Sequence, residues 1–275
     1  MNNSFSISRF ALLLKKDFTE NIRLYAIGSV SLLLGLATLM VIFTPLMCMP
    51  AEEGGAIFAT FPIYWLFCFA LCIAASMMFP QLRTKQGRVS LFMLPATNSE
   101  KYLEQIFTNI ICFALMFLAC IYAAEGIRML VAPWVWSGSN PVLATDAGNY
   151  IDHFAIIYPK EAIMVREVLA SVGMTPDLFA WVMIAGILCN LGVFSLGAVL
   201  WPKYSFIKTY VAIYVVETAL LIVGTIVTKI FGVFDWTQTV SSRQWLIILI
   251  VALGLGAVAA FGASYFCFTR KKVIG

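Results

Sequence analysis

The sequence predicts an all-α integral membrane protein with six transmembrane helices and an amphipathic helix before the first of them. Of its 275 residues, 61% are hydrophobic and only 12% are charged, and the mean hydropathy is +0.92. Soluble domains carry about 25% charged residues. Six windows reach the roughly 20 residues that a helix needs to cross a bilayer. They are Leu24–Thr44, Ala56–Phe79, Ile106–Glu125, Leu178–Leu200, Tyr210–Ile230 and Trp245–Phe268.

Residues 1–23 predict an amphipathic helix that lies in the membrane interface, ahead of a six-span domain over residues 24–275. Apolar residues at spacings of three and four define one helical face: Ile7, Phe10, Leu14, Phe18 and Ile22. The opposite face carries Arg9, Lys16, Glu20 and Arg23. A simple basic anchor would explain the charges but not the apolar stripe, which is typical of an interfacial helix.

The distribution of basic residues predicts that both termini are cytoplasmic. Lys and Arg near spans are retained on the inner side of a membrane. With the N-terminus inside, thirteen of the 18 basic residues fall on inner segments. The remaining five are Arg128, Lys160, Arg166, Lys229 and Arg243. The net charge of +4 is therefore explained by orientation, and we expect no nucleic-acid partner.

The inner segment 80–105, after the second span, has the features of a coupling segment. Pro95 disfavours helix at Leu94. Thr97 and Glu100 form a T-x-x-E pattern, which predicts a capping box and a helix that starts at about Asn98 and turns into the third span. Such a cap could dock a partner, or it could serve only the return of the chain into the membrane.

The outer segment 128–177 is far longer than the usual connector of about 4–6 residues. Its second half predicts a helix with Pro159 in the first turn and Gly173 followed by Pro176 as the stop. This helix would cover the outer mouth of the bundle.

Glu217 lies near the middle of the fifth predicted span, where an ionised carboxylate is costly and usually faces protein or water. It could form a substrate or proton site, or it could be a packing contact to Asn190, which lies at similar depth in the fourth span. Glu125 is expected at the outer interface of the third span.

Catalytic motifs are absent from the sequence: it contains no Walker A loop, no nucleophile elbow and no H-E-x-x-H pattern. The chain is therefore not expected to be an enzyme or to hold a metal. If the protein performs energised work, the energy must come from another subunit.

The layout resembles the membrane subunit of type-2 ABC transporters. The residues that carry the resemblance are Leu94-Pro95-Ala96-Thr97, followed by Asn98-Ser99-Glu100-Lys101-Tyr102-Leu103, and the short inner loop Trp201–Thr209. Segment 231–243 is short compared with the re-entrant half-helices that such permeases often place between spans five and six.

The resemblance implies a permease subunit, and an exporter, in the cytoplasmic (inner) membrane. It implies a separate ATP-binding subunit that carries ATP and Mg, a second permease subunit, and no cofactor in this chain. By carry-over, the docking residues for the ATPase are Pro95, Thr97, Glu100, Lys101, Tyr102, Lys16 and Glu20. Glu217 and Asn190 are the candidates for the translocation pathway.

Two other functions fit the sequence. One is an ion- or proton-coupled secondary transporter that uses Glu217. The other is a non-transporting sensor or structural subunit whose outer segment 128–177 binds an extracellular partner.

Overall fold

The computed structural model describes residues 5–47, 55–136, 175–231 and 242–270, and in these ranges it contains only helices and short turns. The longer helices are α1 (Ile7–Met47), α2 (Gly55–Ser76), α5 (Phe113–Trp136), α6 (Pro176–Leu200), α7 (Ser205–Phe231) and α8 (Ser242–Arg270). Between α2 and α5 lie a 3₁₀ turn (Pro80–Arg83), α3 (Lys85–Met93), α4 (Asn98–Ile106) and a π-helical stretch (Phe107–Cys112). The prediction of an all-α chain is confirmed over the described residues.

Several of these helices are long and apolar enough to cross a membrane. Five such helices are found in the described ranges. The sequence predicted six spans, and the remaining one corresponds to α2, where the described apolar side chains cover only Pro62–Ser76. The structure is therefore that of a multi-pass, all-helical membrane protein.

α1 is one continuous helix of 41 residues, about 60 Å long. The expected boundary between an interfacial helix (1–23) and a first span (from Leu24) does not coincide with a helix end. No proline lies between Ile7 and Thr44, so every backbone N–H near Arg23 can join the hydrogen-bond ladder and the polar turns extend the span. These turns also pack against α4, which supports them outside the apolar stretch.

α4 begins at Asn98 and continues through the π-helical stretch into α5, as predicted for the third span. α3 ends at Met93, and Leu94 has φ −59° and ψ 134°, the extended conformation expected before Pro95. The polar residues 98–105 precede the apolar part, which starts at Ile106. α5 runs to Trp136, so the outer segment begins later than residue 128, and the predicted helix after Pro159 lies outside the described residues.

The helices pack as two parallel pairs joined by α2. α1 runs beside α5, with Cys120 Sγ 3.6 Å from the Ser29 carbonyl oxygen. α6 runs beside α8, where Gly192 allows a close approach to Ala260. α2 contacts both pairs, whereas α7 packs on α6 and α2.

Candidate functional sites

Glu100 joins α4 to the start of α1. Its Oε2 accepts a hydrogen bond from the Thr97 N–H (2.8 Å), and the Thr97 hydroxyl accepts from the Glu100 N–H (3.3 Å), so the predicted capping box is confirmed. Its Oε1 accepts from the Ser6 N–H (2.7 Å) and lies 3.0 Å from Arg9 Nη2. The Glu100 side chain is completely buried. The same carboxylate thus caps one helix and holds a second.

The charges at this point respond to burial and to their partners. Burial disfavours the ionised form of Glu100, but the hydrogen bonds from Thr97 and Ser6 and the charge of Arg9 outweigh it, so the pKa of Glu100 lies below its ordinary value. Burial lowers the pKa of Lys101, and Glu100 opposes this shift. Lys101 Nζ donates to the Phe92 carbonyl oxygen (3.3 Å), which ties α4 to α3.

Tyr102 joins α4 to α8. Its hydroxyl donates to the Phe261 carbonyl oxygen (3.2 Å), and its ring lies 5.9 Å from the Phe79 ring and 6.0 Å from the Phe268 ring, measured between centroids. Phe79 stacks on Phe268 at 4.8 Å. This aromatic cluster connects the ends of α2, α4 and α8. A displacement of α4 would therefore move side chains that contact α8.

A polar cluster lies one turn further along α4, facing α1. Burial raises the pKa of Glu104 to about 7, a hydrogen bond from Gln105 (Nε2 to Oε2, 2.7 Å) opposes the shift, and the nearby Asp17 carboxylate adds to it. On α1, Asp17 accepts from Tyr25 (2.7 Å) and from Asn21 (2.8 Å). Glu104 therefore titrates near neutral pH, at a contact between two helices.

The residues predicted to dock a partner are divided by the structure into buried and exposed groups. Glu100, Lys101 and Tyr102 are at most 5% exposed and contact other helices of the same chain. Pro95 is exposed and Thr97 is half-buried. On α1, Lys16 and Glu20 are exposed and lie 3.9 Å apart. The buried three position the segment, and only the exposed residues are available for contact with another protein.

The sequence analysis did not predict the solvent-exposed apolar face of α3. Thr84 caps this helix by accepting from the Gly87 N–H (3.0 Å). Val89 and Met93, one turn apart and therefore on one face, are 39% and 78% exposed. The sequence does contain a signal for this face. The T-x-x-G pattern of Thr84 and Gly87 precedes more apolar residues, between Val89 and Leu94, than one buried helix face requires.

Glu217 and Asn190, the predicted pathway residues, line the same cavity. It has a volume of about 470 Å³ and lies between α2, α6 and α7, with a lining rich in aromatic side chains such as Trp65 and Tyr210. The Asn190 amide donates to the Gly186 carbonyl oxygen of its own helix (2.9 Å). Within the described ranges Glu217 has neither a hydrogen bond nor an ion pair, so no hydrogen bond joins it to Asn190. The carboxylate is free to meet a ligand, water or another chain.

Glu125, expected at the outer interface of the third span, is buried within the bundle on α5. It is bound to Arg128, whose Nε lies 2.9 Å from Oε2 and whose Nη2 lies 2.7 Å from Oε1. Both side chains are about 2% exposed. A bidentate pair of this kind can stand inside a helix bundle because each charge is compensated.

Comparison with family models, with curated proteins and with solved structures finds no match for this chain. The features established by the fold are an all-helical architecture with several helices of membrane-spanning length.

Proposed function

We propose that this chain is the membrane-spanning permease subunit of an ATP-driven transporter of the ABC type. In this proposal the chain has six spans with both termini in the cytoplasm, lies in the inner membrane, and functions as an exporter. ATP and Mg are bound by a separate ATPase subunit. The permease binds that ATPase through the segment formed by α3 and α4.

The observation that carries the proposal is the double attachment of α4. Glu100 binds Ser6 and Arg9 at the start of α1, and Tyr102 binds Phe261 on α8. An element that is fixed to the first and the last described helices can pass a displacement at its surface to both halves of the bundle. A segment that served only to return the chain to the membrane would need the cap but not these long-range contacts.

The exposed apolar side chains beside α4 support a protein partner. Met93 and Val89 project from α3, next to the exposed Pro95. Exposed apolar side chains grouped together are typical of a protein interaction site. We therefore place the ATPase contact on α3 and the turn at Pro95, with Lys16 and Glu20 of α1 at its edge.

A second permease subunit is supported by α7. Every described side chain from Tyr214 to Ile226 is exposed, and Glu217 lies in the middle of this stretch. A carboxylate within a membrane normally faces protein or a water-filled cavity rather than lipid. A second subunit across α7 would enclose the cavity that Glu217 lines and complete a pathway.

The test is copurification of an ATPase with two variants of Met93. We expect the tagged wild-type chain, extracted from its native membrane in mild detergent, to retain a stoichiometric ATPase and to hydrolyse ATP. Met93→Asp should lose most of that ATPase, since it places a charge in an apolar contact, whereas Met93→Leu should retain it. Met93 is exposed, so neither variant should alter the melting temperature. Equal recovery of the ATPase with both variants would exclude this docking face.

A second candidate function, an ion- or proton-coupled transporter, is favoured by the cavity that contains Glu217 and Asn190. It requires no ATPase. In proteoliposomes that contain only this chain, transport would follow an ion gradient, and Glu217→Gln would abolish it. Glu20→Gln, which removes a carboxylate from an exposed position outside the cavity, is the matched control and should retain transport.

A further inference from the structure

A second cavity lies at the end of the bundle that holds α3 and α4. It has a volume of about 500 Å³ and is bounded by the end of α2, the 3₁₀ turn and the start of α7. The Arg83 Nε donates to the Pro202 carbonyl oxygen (3.1 Å), which fixes the turn against the loop before α7. Arg83 is therefore held in place at the wall of the cavity.

The polar groups of this cavity suit an anion. Arg83 and Lys203 line it, and no Asp or Glu lines it in the described part of the chain. The bond to Pro202 uses one of the five donors of the Arg83 guanidinium group and leaves the others for a ligand. Two positive charges thus face one opening without a neutralising carboxylate.

The first turn of α7 adds further donors. α7 starts at Ser205 and has 27 residues, and the first N–H groups of a helix have no acceptor within it. Ser205 is 4% exposed, lines the cavity, and its hydroxyl is buried without a hydrogen-bond partner. A buried hydroxyl at a helix amino end, beside two cations, is the arrangement that binds phosphate groups.

Most of the remaining lining is apolar, and part of it is exposed at the surface of the bundle. Met77 is 50% exposed and Ile207 is 61% exposed, and both line the cavity together with Ile73 and Phe206. A soluble phosphate would gain nothing from these side chains, whereas an acyl chain would cover them. Positively charged and hydrogen-bond-donating groups beside an apolar wall are typical of a site for an anionic phospholipid between transmembrane helices.

We propose that this cavity binds the phosphate headgroup of an anionic phospholipid. Arg83 and Lys203 bind the phosphate, the Ser205 hydroxyl and the first N–H groups of α7 donate to it, and one acyl chain lies along Met77 and Ile207. The bound lipid links α2 to α7, which otherwise meet over a limited surface. This inference does not depend on the proposed transport function.

The test measures lipid binding to the delipidated full-length chain by native mass spectrometry. We expect phosphatidylglycerol to bind at least about tenfold more tightly than phosphatidylcholine with the same acyl chains. The double variant Arg83→Gln/Lys203→Gln should lose that preference. The matched variant Lys85→Gln/Lys208→Gln removes two positive charges from exposed residues that do not line the cavity, and it should retain the preference.

Two outcomes would overturn the proposal. Equal loss of the preference for phosphatidylglycerol in both double variants would mean that its binding depends only on general surface charge. Equally tight binding of glycerophosphoglycerol, the headgroup without acyl chains, would mean that the site takes a soluble phosphate.

If Arg83→Gln fails to fold because the bond to Pro202 is weakened, two single variants replace it. Lys203→Gln and Ser205→Ala remove no hydrogen bond that the described structure contains. Each should weaken phosphatidylglycerol binding several-fold. Unchanged affinity in both would also overturn the proposal.

Discussion

α4 and α7 both carry residues that the sequence marks as candidates for function, but their surroundings are opposite. α4 has nine residues, of which Glu100, Lys101, Tyr102, Glu104 and Gln105 are buried. On α7, every described side chain from Tyr214 to Ile226 is exposed, including that of Glu217. On α4, Glu100, Lys101 and Tyr102 are bound by other elements of the same chain, and Gln105 donates to Glu104 within the helix. On α7, Thr218 and Thr225 donate to carbonyl oxygens of their own helix, whereas Glu217 has no hydrogen bond or ion pair within the described ranges.

This difference indicates which helix can transmit a movement and which can change its surroundings. α4 is bound to α1 and α8 through specific polar and aromatic contacts, so these three helices should move together. In the described part of the chain α7 packs mainly on α6 and α2, and its side chains from Tyr214 to Ile226 are exposed. Substitutions should therefore be costly on α4 and its contacts, and mild on the exposed half of α7.

The largest effect is expected from Glu100→Ala. It removes the helix cap and leaves Arg9 without its carboxylate, which should lower the free energy of unfolding by about 3–4 kcal/mol. Thermal unfolding in detergent measures the loss. Glu20→Ala breaks the exposed Lys16–Glu20 pair and should change little, since exposed pairs contribute almost nothing. Similar losses in both variants would contradict the role assigned to Glu100.

The next effect is a pH dependence due to Glu104. Burial raises its pKa from the ordinary 4.5 to about 7, so the folded state holds the proton more strongly than the unfolded state. Stability should fall as the pH rises between these two values, by up to about 3 kcal/mol in total. Glu104→Gln should abolish this decline and stabilise the protein above pH 7 in unfolding experiments across pH. An unchanged pH profile in the variant would mean that another group titrates.

Substitutions at two glycines distinguish a tight helix–helix contact from an open helix surface. A Cβ at Gly197 of α6 would overlap the Thr209 hydroxyl of α7, whereas a Cβ at Gly224 of α7 would meet nothing within 4 Å. Gly197→Ala should therefore cost about 2 kcal/mol by separating the helices. Gly224→Ala should be neutral or slightly stabilising. Melting temperatures of the two variants, measured on the isolated chain without a second subunit, provide the comparison, and a large loss at Gly224 there would contradict the open surface around it.

The smallest effect is expected from Tyr102→Phe. This change keeps the aromatic ring against Phe79 and Phe268 but removes the hydrogen bond to the Phe261 carbonyl oxygen, a loss of about 1 kcal/mol. Tyr214→Phe changes an exposed tyrosine and should have no measurable effect. An equal shift in melting temperature for both variants would argue against the α4–α8 contact.

The start of α4 could be predicted from the sequence because its determinants are local. Pro95 restricts Leu94, and Thr97 and Glu100 are three residues apart, so neither feature depends on the rest of the fold. The shared cavity of Glu217 and Asn190 is consistent with their similar depth, which follows from counting residues along two spans.

The direction in which α4 faces could not be predicted in the same way. Glu100 is buried because Ser6 and Arg9 approach it from 94 and 91 positions away, and no local pattern encodes that contact. The continuity of α1 was missed because an amphipathic pattern and an apolar span can follow each other within one helix. Glu125 could have been recognised, since Arg128 lies three residues later on the same helical face.

The most direct test of the central claim, that an ATPase binds the segment formed by α3 and α4, is photo-cross-linking in the native membrane. A photoreactive amino acid replaces Met93, and a matched one replaces Leu221, which is 72% exposed on α7. The account predicts that Met93 captures a protein with Walker motifs, whereas Leu221 captures lipid or a second membrane subunit. Capture of lipid alone from Met93, with the complex otherwise intact, would contradict it.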